Sequence, residues 1–326
     1  MAKHFYLRDN QRIQNNSLLS SGSKELFTLE KSHSTIDAYE SDWSDFCDWC
    51  SYRGIHYFPA TPETIVNYIH DLSAYAKANT IARRVSALSE NFTAGGLIKD
   101  NPCLSPLVKA AMKGIRRKIG TYQQGKSPLL KEDLEAIVQM MDVKDLTQHL
   151  DKTVLVIGFM GAFRRSELSS IRYEDVHFVR QGIEIFIPRS KADQEGEGNI
   201  VALPNLTQKE LCPVTTLKSW LSRTKITSGP VFRSPTKTGK LRKNALSDQM
   251  VNRIVKRWAE KIGLDPADYG AHSLRHGFAT SAALAGIEER RIMQQTRHHS
   301  VEMVRHYINE ADRFEHNPLR DMFSSK

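Results

Sequence analysis

The chain has 326 residues, 46 Lys and Arg against 37 Asp and Glu, a net charge of +9 and an isoelectric point near 9.3. That length exceeds what one core usually fills, so two domains are expected, and the basic balance suits a polyanionic partner. No apolar run reaches the roughly 18 residues of a membrane helix, Met1-Ala2-Lys3-His4-Phe5 lacks a signal-peptide core, and four cysteines are too few for a disulfide framework, so a cytoplasmic, reducing compartment is expected.

Residues 1–30 are polar and mixed, with Asn15-Asn16-Ser17 and Ser20-Ser21-Gly22-Ser23 offering little to bury, and read as a flexible N-terminal arm. A first helix is expected from Ser34, a capping hydroxyl with Asp37 three residues on. Ile36, Tyr39, Trp43, Phe46 and Cys50 then recur at helical spacing. Cys47-x-x-Cys50 falls on this helix, but Cys103 and Cys212 form no second pair, so small core residues are expected there rather than metal ligands. Thr61-Pro62-Glu63 opens a second helix: a capping hydroxyl, a proline in the first turn and an acid at the positive end of the dipole. Its buried stripe is Ile65, Tyr68, Ile69 and Leu72.

A third helix turns Ile81, Val85, Leu88 and Phe92 inward, leaves Arg83 and Arg84 off that stripe, and stops at Gly95-Gly96. A fourth begins after Pro106 and carries Lys109, Lys113, Arg116, Arg117 and Lys118, with no acid between Asp100 and Glu132. A basic stripe without balancing acid is read as phosphate-facing. These four helices set a first domain at 31–119. Residues 120–128, polar and broken by Gly120, Gly125 and Pro128, read as a linker, and 129–326 as the second domain.

The second domain opens with a helix near Lys131. Thr153 to Phe163 is nearly all apolar and reads as a buried helix, with Arg164 directly after it and Glu167 one turn on. A charge at the end of an apolar helix must find partners. Ile183-Glu184-Ile185-Phe186-Ile187 alternates as a strand, Asn199-Ile200-Val201-Ala202-Leu203 is its hairpin partner, and 193–198 is the turn between them. Lys191 sits at the strand end. Val231-Phe232 is a short strand or core segment. Ser247 caps a helix with Val251, Ile254, Trp258 and Ile262 inward, ended by Gly263. His272 to Ala285 forms the next helix, ended by Gly286.

The last third of the chain holds the densest chemistry. It reads His272-Ser273-Leu274-Arg275-His276, a helical run, Arg297-His298-His299, and Arg305-His306-Tyr307, with almost no acid near these positions. A hydrolytic metal site usually wants a carboxylate base, and His272 with His276, four apart, lacks the glutamate of a His-Glu-x-x-His pair. The mixture suits a phosphodiester attacked by a phenol. Arginine forks grip phosphate oxygens, histidines donate single directed bonds, and tyrosine, with a free pKa of about 10, needs such cations to stabilise the phosphorane it makes.

His272-x-x-Arg275, then a histidine nine residues before Tyr307, resembles the C-terminal signature of the tyrosine recombinase (phage integrase) family. Gly161-Ala162-Phe163-Arg164-Arg165-Ser166-Glu167-Leu168 is similar to that family's upstream Gly-x-x-Arg-x-x-Glu-Leu, and Pro188-Arg189-Ser190-Lys191 resembles its hairpin lysine. The four-helix block resembles the family's core-binding domain, chiefly through Phe58-Pro59-Ala60-x-Pro62-Glu63 and Gly114-Ile115-Arg116-Arg117. Arg297 stands where the family usually has a small residue, often Gly. His298 and His299 are both candidates for the phosphate contact, and the nine-residue spacing favours His298.

The resemblance implies an N-terminal all-α core-binding (SAM-like) domain and a C-terminal mixed α/β catalytic domain, mainly helical with a small antiparallel sheet. It implies a site-specific recombinase that cleaves and rejoins DNA through a 3′-phosphotyrosine on Tyr307. Arg164 and Arg275 would bind the non-bridging oxygens, His272 and His298 would donate to the phosphorane, Lys191 would be the general acid, and Glu167 would support the site. His276 is expected to be structural. Arg83, Arg84, Lys109, Lys113, Arg116, Arg117 and Lys118 are the DNA-binding candidates. No metal, ATP or other cofactor is expected. The implied partner is double-stranded DNA with paired inverted half-sites, bound by a homotetramer that is monomeric when free. A prokaryotic, phage or plasmid context and a place with the nucleoid go with this. Ala311, Phe314, Leu319, Met322 and Phe323 make the segment after Tyr307 too apolar for a free end, and in the family that segment often docks on a neighbouring subunit. The alternatives are a type IB topoisomerase-like relaxing enzyme, with the same chemistry, and a non-cleaving DNA-binding regulator on the same scaffold.

Overall fold

The computed structural model describes residues 20–21, 23, 33–121, 125–188, 198–236, 238–298, 300–302, 304–305, 307 and 318–323. The chain divides into two compact units, Met1–Gln124 and Gly125–Lys326. Most of the expected arm, the hairpin turn with Lys191, and His299 lie outside the described residues.

The first unit holds four helices: α1 (His33–Tyr52), α2 (Pro62–Leu72), α3 (Ala78–Ala94) and α4 (Pro106–Ile119). Their starts follow the local chemistry. Thr61 Oγ1 accepts from the Thr64 N–H at 3.3 Å and Ser105 Oγ from the Val108 N–H at 3.2 Å, each ahead of a proline that has no N–H to satisfy. Helix α1 is already formed at His33, so Ser34 lies inside its first turn rather than at its cap. The core is aromatic. Trp43, Phe46 and Phe92 are fully buried, and Trp43 meets Phe92 edge-on with centroids 5.3 Å apart. Cys47 and Cys50 are buried, free thiols in that core. Helix α4 buries only Val108 and Ile115, which leaves most of its circumference open.

The second unit contains α5 (Lys131–Gln139), α6 (Leu146–Met160), α7 (Arg165–Ser170), three strands, α8 (Pro213–Thr224), α9 (Asp248–Lys261), α10 (His272–Leu284), α11 (Glu289–Thr296) and α12 (Pro318–Phe323). The apolar run expected as one helix to Phe163 ends earlier, at Met160. Gly161 and Ala162 form a turn, Ala162 with φ of +44°, and Arg164 precedes a separate short helix. The strands β1 (Val176–Val179), β2 (Gly182–Ile187) and β3 (Asn199–Pro204) pair antiparallel in that order. Ile185 lies opposite Val201 and Ile187 opposite Asn199. Ile183, Ile185 and Ile187 turn into the core while Glu184 and Phe186 face outward, as period-2 alternation requires. Val231 and Phe232 are buried in an irregular segment, with Val231 N–H donating to Ile171 O at 2.9 Å. From Ser127 onward the expected linker is tied to this unit, the Ser127 N–H donating to Asp268 O at 2.9 Å.

Candidate active site

Helix α10 supplies the first part of the site. His272, Arg275 and His276 fall three and four residues apart, hence on one face. The helix is held close to the chain before α5. A Cβ on Gly277 would stand 1.7 Å from Leu129 O, so only glycine allows this approach. The Leu129 N–H donates to Ser273 O at 3.0 Å, and the His276 ring nitrogen Nδ1 donates to Lys126 O at 2.9 Å. Arg275 is 1% exposed. Its Nη1 donates to Ala162 O at 2.9 Å, and its Nη2 is buried with no partner among the described residues.

The turn after α6 supplies the second part. Glu167, 2% exposed, accepts from Arg164 twice: Oε2 from the backbone N–H at 3.0 Å and Oε1 from Nη1 at 2.6 Å. Burial alone would raise the Glu167 pKa, but Arg297 and Arg164 outweigh it and hold the carboxyl below its usual range. Arg164 itself stays about a quarter exposed.

The stretch after α11 and the helical residues from 301 supply the rest. Tyr307 is 4% exposed, and its Oη lies 3.5 Å from His272 Nε2. Its ring lies near two imidazoles, with centroids 4.7 Å from His276 and 5.6 Å from His298. Thr296 Oγ1 donates to Ile292 O at 2.7 Å and lies 2.8 Å from His298 Nδ1. A hydroxyl has one proton, so with that proton on Ile292 O the Nδ1–H donates to Thr296 and Nε2 of the neutral ring is an acceptor.

The site carries excess positive charge. Arg164, Arg275 and Arg297 surround one carboxylate, Glu167. Burial, then the Arg275 and Arg164 guanidiniums, push His298 down to about 3. Burial, then His276, Arg275 and Arg164, lower His272. Burial, then Arg164 and Arg297, pull Arg275 down to about 9. Every one of these shifts disfavours a further cation, and an anion in the cleft would oppose the part that comes from the neighbouring cations.

The structure therefore brings together Arg164, Glu167, His272, Arg275, His298 and Tyr307. Lys191 and His299 fall outside the described residues. Of the DNA-binding candidates, Lys109, Lys113, Arg116, Arg117 and Lys118 are exposed along α4. Arg83 and Arg84 are engaged inside their own unit, Arg83 with Asp42, and Arg84 with Asp45 and, at 3.6 Å, Asp42. Arg165 pairs with Asp248 at 3.1 Å. Two features carried no role in the sequence reading. Arg297 pairs with Glu167, 130 residues away in sequence. Lys240, Arg242, Lys243 and Arg253 make an exposed basic stretch leading into α9, visible in the sequence as cations outnumbering acids from 240 to 253.

Comparison with known proteins bears on the whole chain. The phage integrase family matches residues 128–313, and the phage integrase N-terminal SAM-like domain matches 24–94. An integrase/recombinase xerD homolog of Selenomonas ruminantium is 48% identical over 322 residues, covering 98% of this chain and 94% of the relative. Recombinase cre of Escherichia phage P1 is 25% identical over 284 residues, 81% of this chain and 80% of the relative. In fold, the chain resembles XerH site-specific recombinase bound to palindromic difH substrate, with a TM-score of 0.67 at 16% identity over 98% of this chain and 93% of the other. It also resembles a lambda integrase dimer bound to a COC′ core site, with a TM-score of 0.62 at 15% identity over 95% and 77%.

Proposed function

The chain belongs to the phage integrase family, and on that premise we propose that it is a site-specific DNA recombinase with Tyr307 as its nucleophile. The observation that carries the reading is the seat of the phenol. Tyr307 Oη lies 3.5 Å from His272 Nε2, in a cluster whose Arg275 keeps a buried Nη2 without a partner among the described residues.

In the reaction proposed, Tyr307 Oη bonds to the phosphorus of one DNA phosphodiester while the bond to the 5′ oxygen breaks. The products are a 3′-phosphotyrosine and a 5′-hydroxyl. His272, whose imidazolium form is disfavoured by His276, Arg275 and Arg164, takes the phenol proton at Nε2. Lys191 gives a proton to the leaving 5′ oxygen. Arg164 and Arg275 hold the non-bridging oxygens, where charge grows in the phosphorane. His298 Nε2 donates to the same charge after taking up a proton that the bound anion stabilises. Rejoining reverses the steps with the 5′-hydroxyl of a partner strand. The ester keeps the bond energy, so the cycle consumes no ATP.

The partner in this reading is duplex DNA with paired inverted half-sites, on which four copies assemble. Lys109, Lys113, Arg116, Arg117 and Lys118 on α4, and the exposed cations from Lys240 to Arg253, meet its phosphates. Leu319, Met322 and Phe323 of α12 are exposed. A groove lined by Met160, Pro204, Leu206, Phe278, Ala282 and Ile287 offers an apolar seat for the tail of a neighbouring copy.

The test is Tyr307→Phe in the full chain, on a nicked duplex selected from a random library by binding to the wild-type protein. The variant should bind that duplex normally and form no covalent adduct on a denaturing gel. An adduct of undiminished yield removes Tyr307 from the mechanism.

A further inference from the structure

Arg297 follows α11 directly, at φ of +55°. A non-glycine residue there costs on the order of 1 kcal/mol that glycine would not. A residue needed only to end a helix would be glycine or asparagine. The side chain offsets that cost. It is 10% exposed and lies over the Phe163 ring at 5.2 Å. Its Nη1 donates to Gly161 O at 3.0 Å and Gln295 O at 2.9 Å, and its Nη2 to Ala162 O at 3.2 Å and Glu167 Oε2 at 3.0 Å.

Those contacts decide how the two phosphate-facing arginines are held. A carboxylate next to one arginine tends to be gripped by both prongs of the fork. Here Glu167 Oε2 is occupied by Arg297 and by the Arg164 backbone N–H, so the Arg164 side chain reaches only Oε1, through Nη1. Its Nε and Nη2 have no partner among the described residues. Arg275 is linked to Arg297 through a shared acceptor. Its Nη1 and Arg297 Nη2 both donate to Ala162 O, a carbonyl in a turn whose alanine sits at φ of +44°. Such a turn persists only where its surroundings over-determine it.

We propose that Arg297 is a positioning residue for strand cleavage: it fills Glu167 Oε2 and fixes the Gly161–Ala162 turn, so that Arg164 and Arg275 each keep donors for the phosphodiester. The proposal rests on the recombinase reading above. It concerns only how the site is held, because every hydrogen bond of the Arg297 guanidinium goes to Glu167 or to backbone carbonyls of the chain itself.

The experiment compares wild type, Arg297→Gly, Arg297→Lys and Glu167→Gln, alone and combined, on the library-selected nicked duplex. Glycine relieves the left-handed backbone, so Arg297→Gly should melt within a few degrees of wild type. Single-turnover cleavage at saturating DNA should fall by about 10–100-fold, while the DNA Kd changes by less than about threefold. Arg297→Lys keeps the charge but not the fork and should stay near the glycine rate. In the Glu167→Gln background, Arg297→Gly should cost less than about threefold, because both residues act through one contact. An unchanged rate in Arg297→Gly, full recovery with lysine, or additive losses with Glu167→Gln would each overturn the proposal. If Arg297→Gly does not fold, the lysine rate and its coupling to Glu167→Gln decide. A wild-type protein that forms no Tyr307-dependent adduct sinks the recombinase reading instead, before any variant is compared.

Discussion

Replacing Arg275 by methionine should make the DNA-free protein more stable and abolish its activity. The guanidinium is 1% exposed, with Nη2 unpartnered among the described residues and two further arginines close enough to repel it. These surroundings pull its pKa down to about 9, which corresponds to on the order of 4–5 kcal/mol of unfavourable charge burial in the native state. Methionine removes that penalty. It also loses the Nη1 bond to Ala162 O, worth roughly 1.5–3 kcal/mol for a charged donor, and about 1 kcal/mol of imperfect packing. The net is a gain of roughly 1–2 kcal/mol, or a rise in Tm of about 2–8 °C for a domain of this size. Cleavage should fall by at least about 10²–10³, since the donor to the phosphorane that we propose Arg275 to be is gone. Calorimetry of the free protein and adduct formation on the selected duplex read the two effects. A Tm lowered by several degrees would mean that the buried charge is satisfied in solution. The picture of a donor held open for phosphate would then be wrong.

Two other outcomes follow from the same geometry. His298 is held at about 3, below the ordinary histidine value, so the unfolded chain takes up a proton that the native state resists. The stability it contributes is present above about pH 6.5 and is lost as pH falls toward 3, by on the order of a few kcal/mol. Tm measured from pH 7 to 4.5 should fall less steeply in His298→Gln than in wild type, and parallel slopes would refute the assignment. Ending the chain after Asp312 removes Leu319, Met322 and Phe323. Single half-site binding should survive while cooperative filling of paired half-sites is lost, and a gel-shift titration showing unchanged cooperativity would exclude the tail from assembly.

What could be read along the chain was what local physics decides. Thr61 caps a helix because a hydroxyl one residue before a proline has N–H groups to serve within four residues. Strand β2 was legible because its two faces differ, Ile183, Ile185 and Ile187 packing inward. Strand β1 was not: Val176 is half-buried and the other three residues are exposed, so no alternation marks it. The break after Met160 was hidden because Gly161 and Ala162 are as apolar as the helix before them. The left-handed turn there is held by carbonyl contacts to Arg275 and Arg297, more than 110 residues away in sequence. Arg83 read as a free cation for the same reason, since its partner Asp42 lies 41 residues back on another helix. The candidate cluster itself was legible in type and order, because each member sits in a short motif. How Glu167 is shared between two arginines was not, because Arg297 carries no local sign of where its guanidinium points.

Strain and charge gather in the same small volume. Ala162 and Arg297 are two of the three non-glycine residues with positive φ among the described residues, and Arg297 donates directly to the Ala162 carbonyl. Each such backbone costs on the order of 1–3 kcal/mol. Arg275 adds a buried charge without a full set of partners. A fold selected for stability alone would relieve all three, with glycine at 162 and 297 and an apolar residue at 275. Helices α6, α9 and α10 bury Val154, Leu155, Ile157, Val251, Ile254, Trp258 and Leu274 in one continuous core, and it is this core that carries the local cost. The free site is thus held with more guanidinium charge than its one carboxylate offsets, and an entering anion would meet that excess. That is the electrostatic preorganisation that the phosphoryl transfer proposed for Tyr307 would use, because no reorientation of dipoles is then needed as a phosphorane forms.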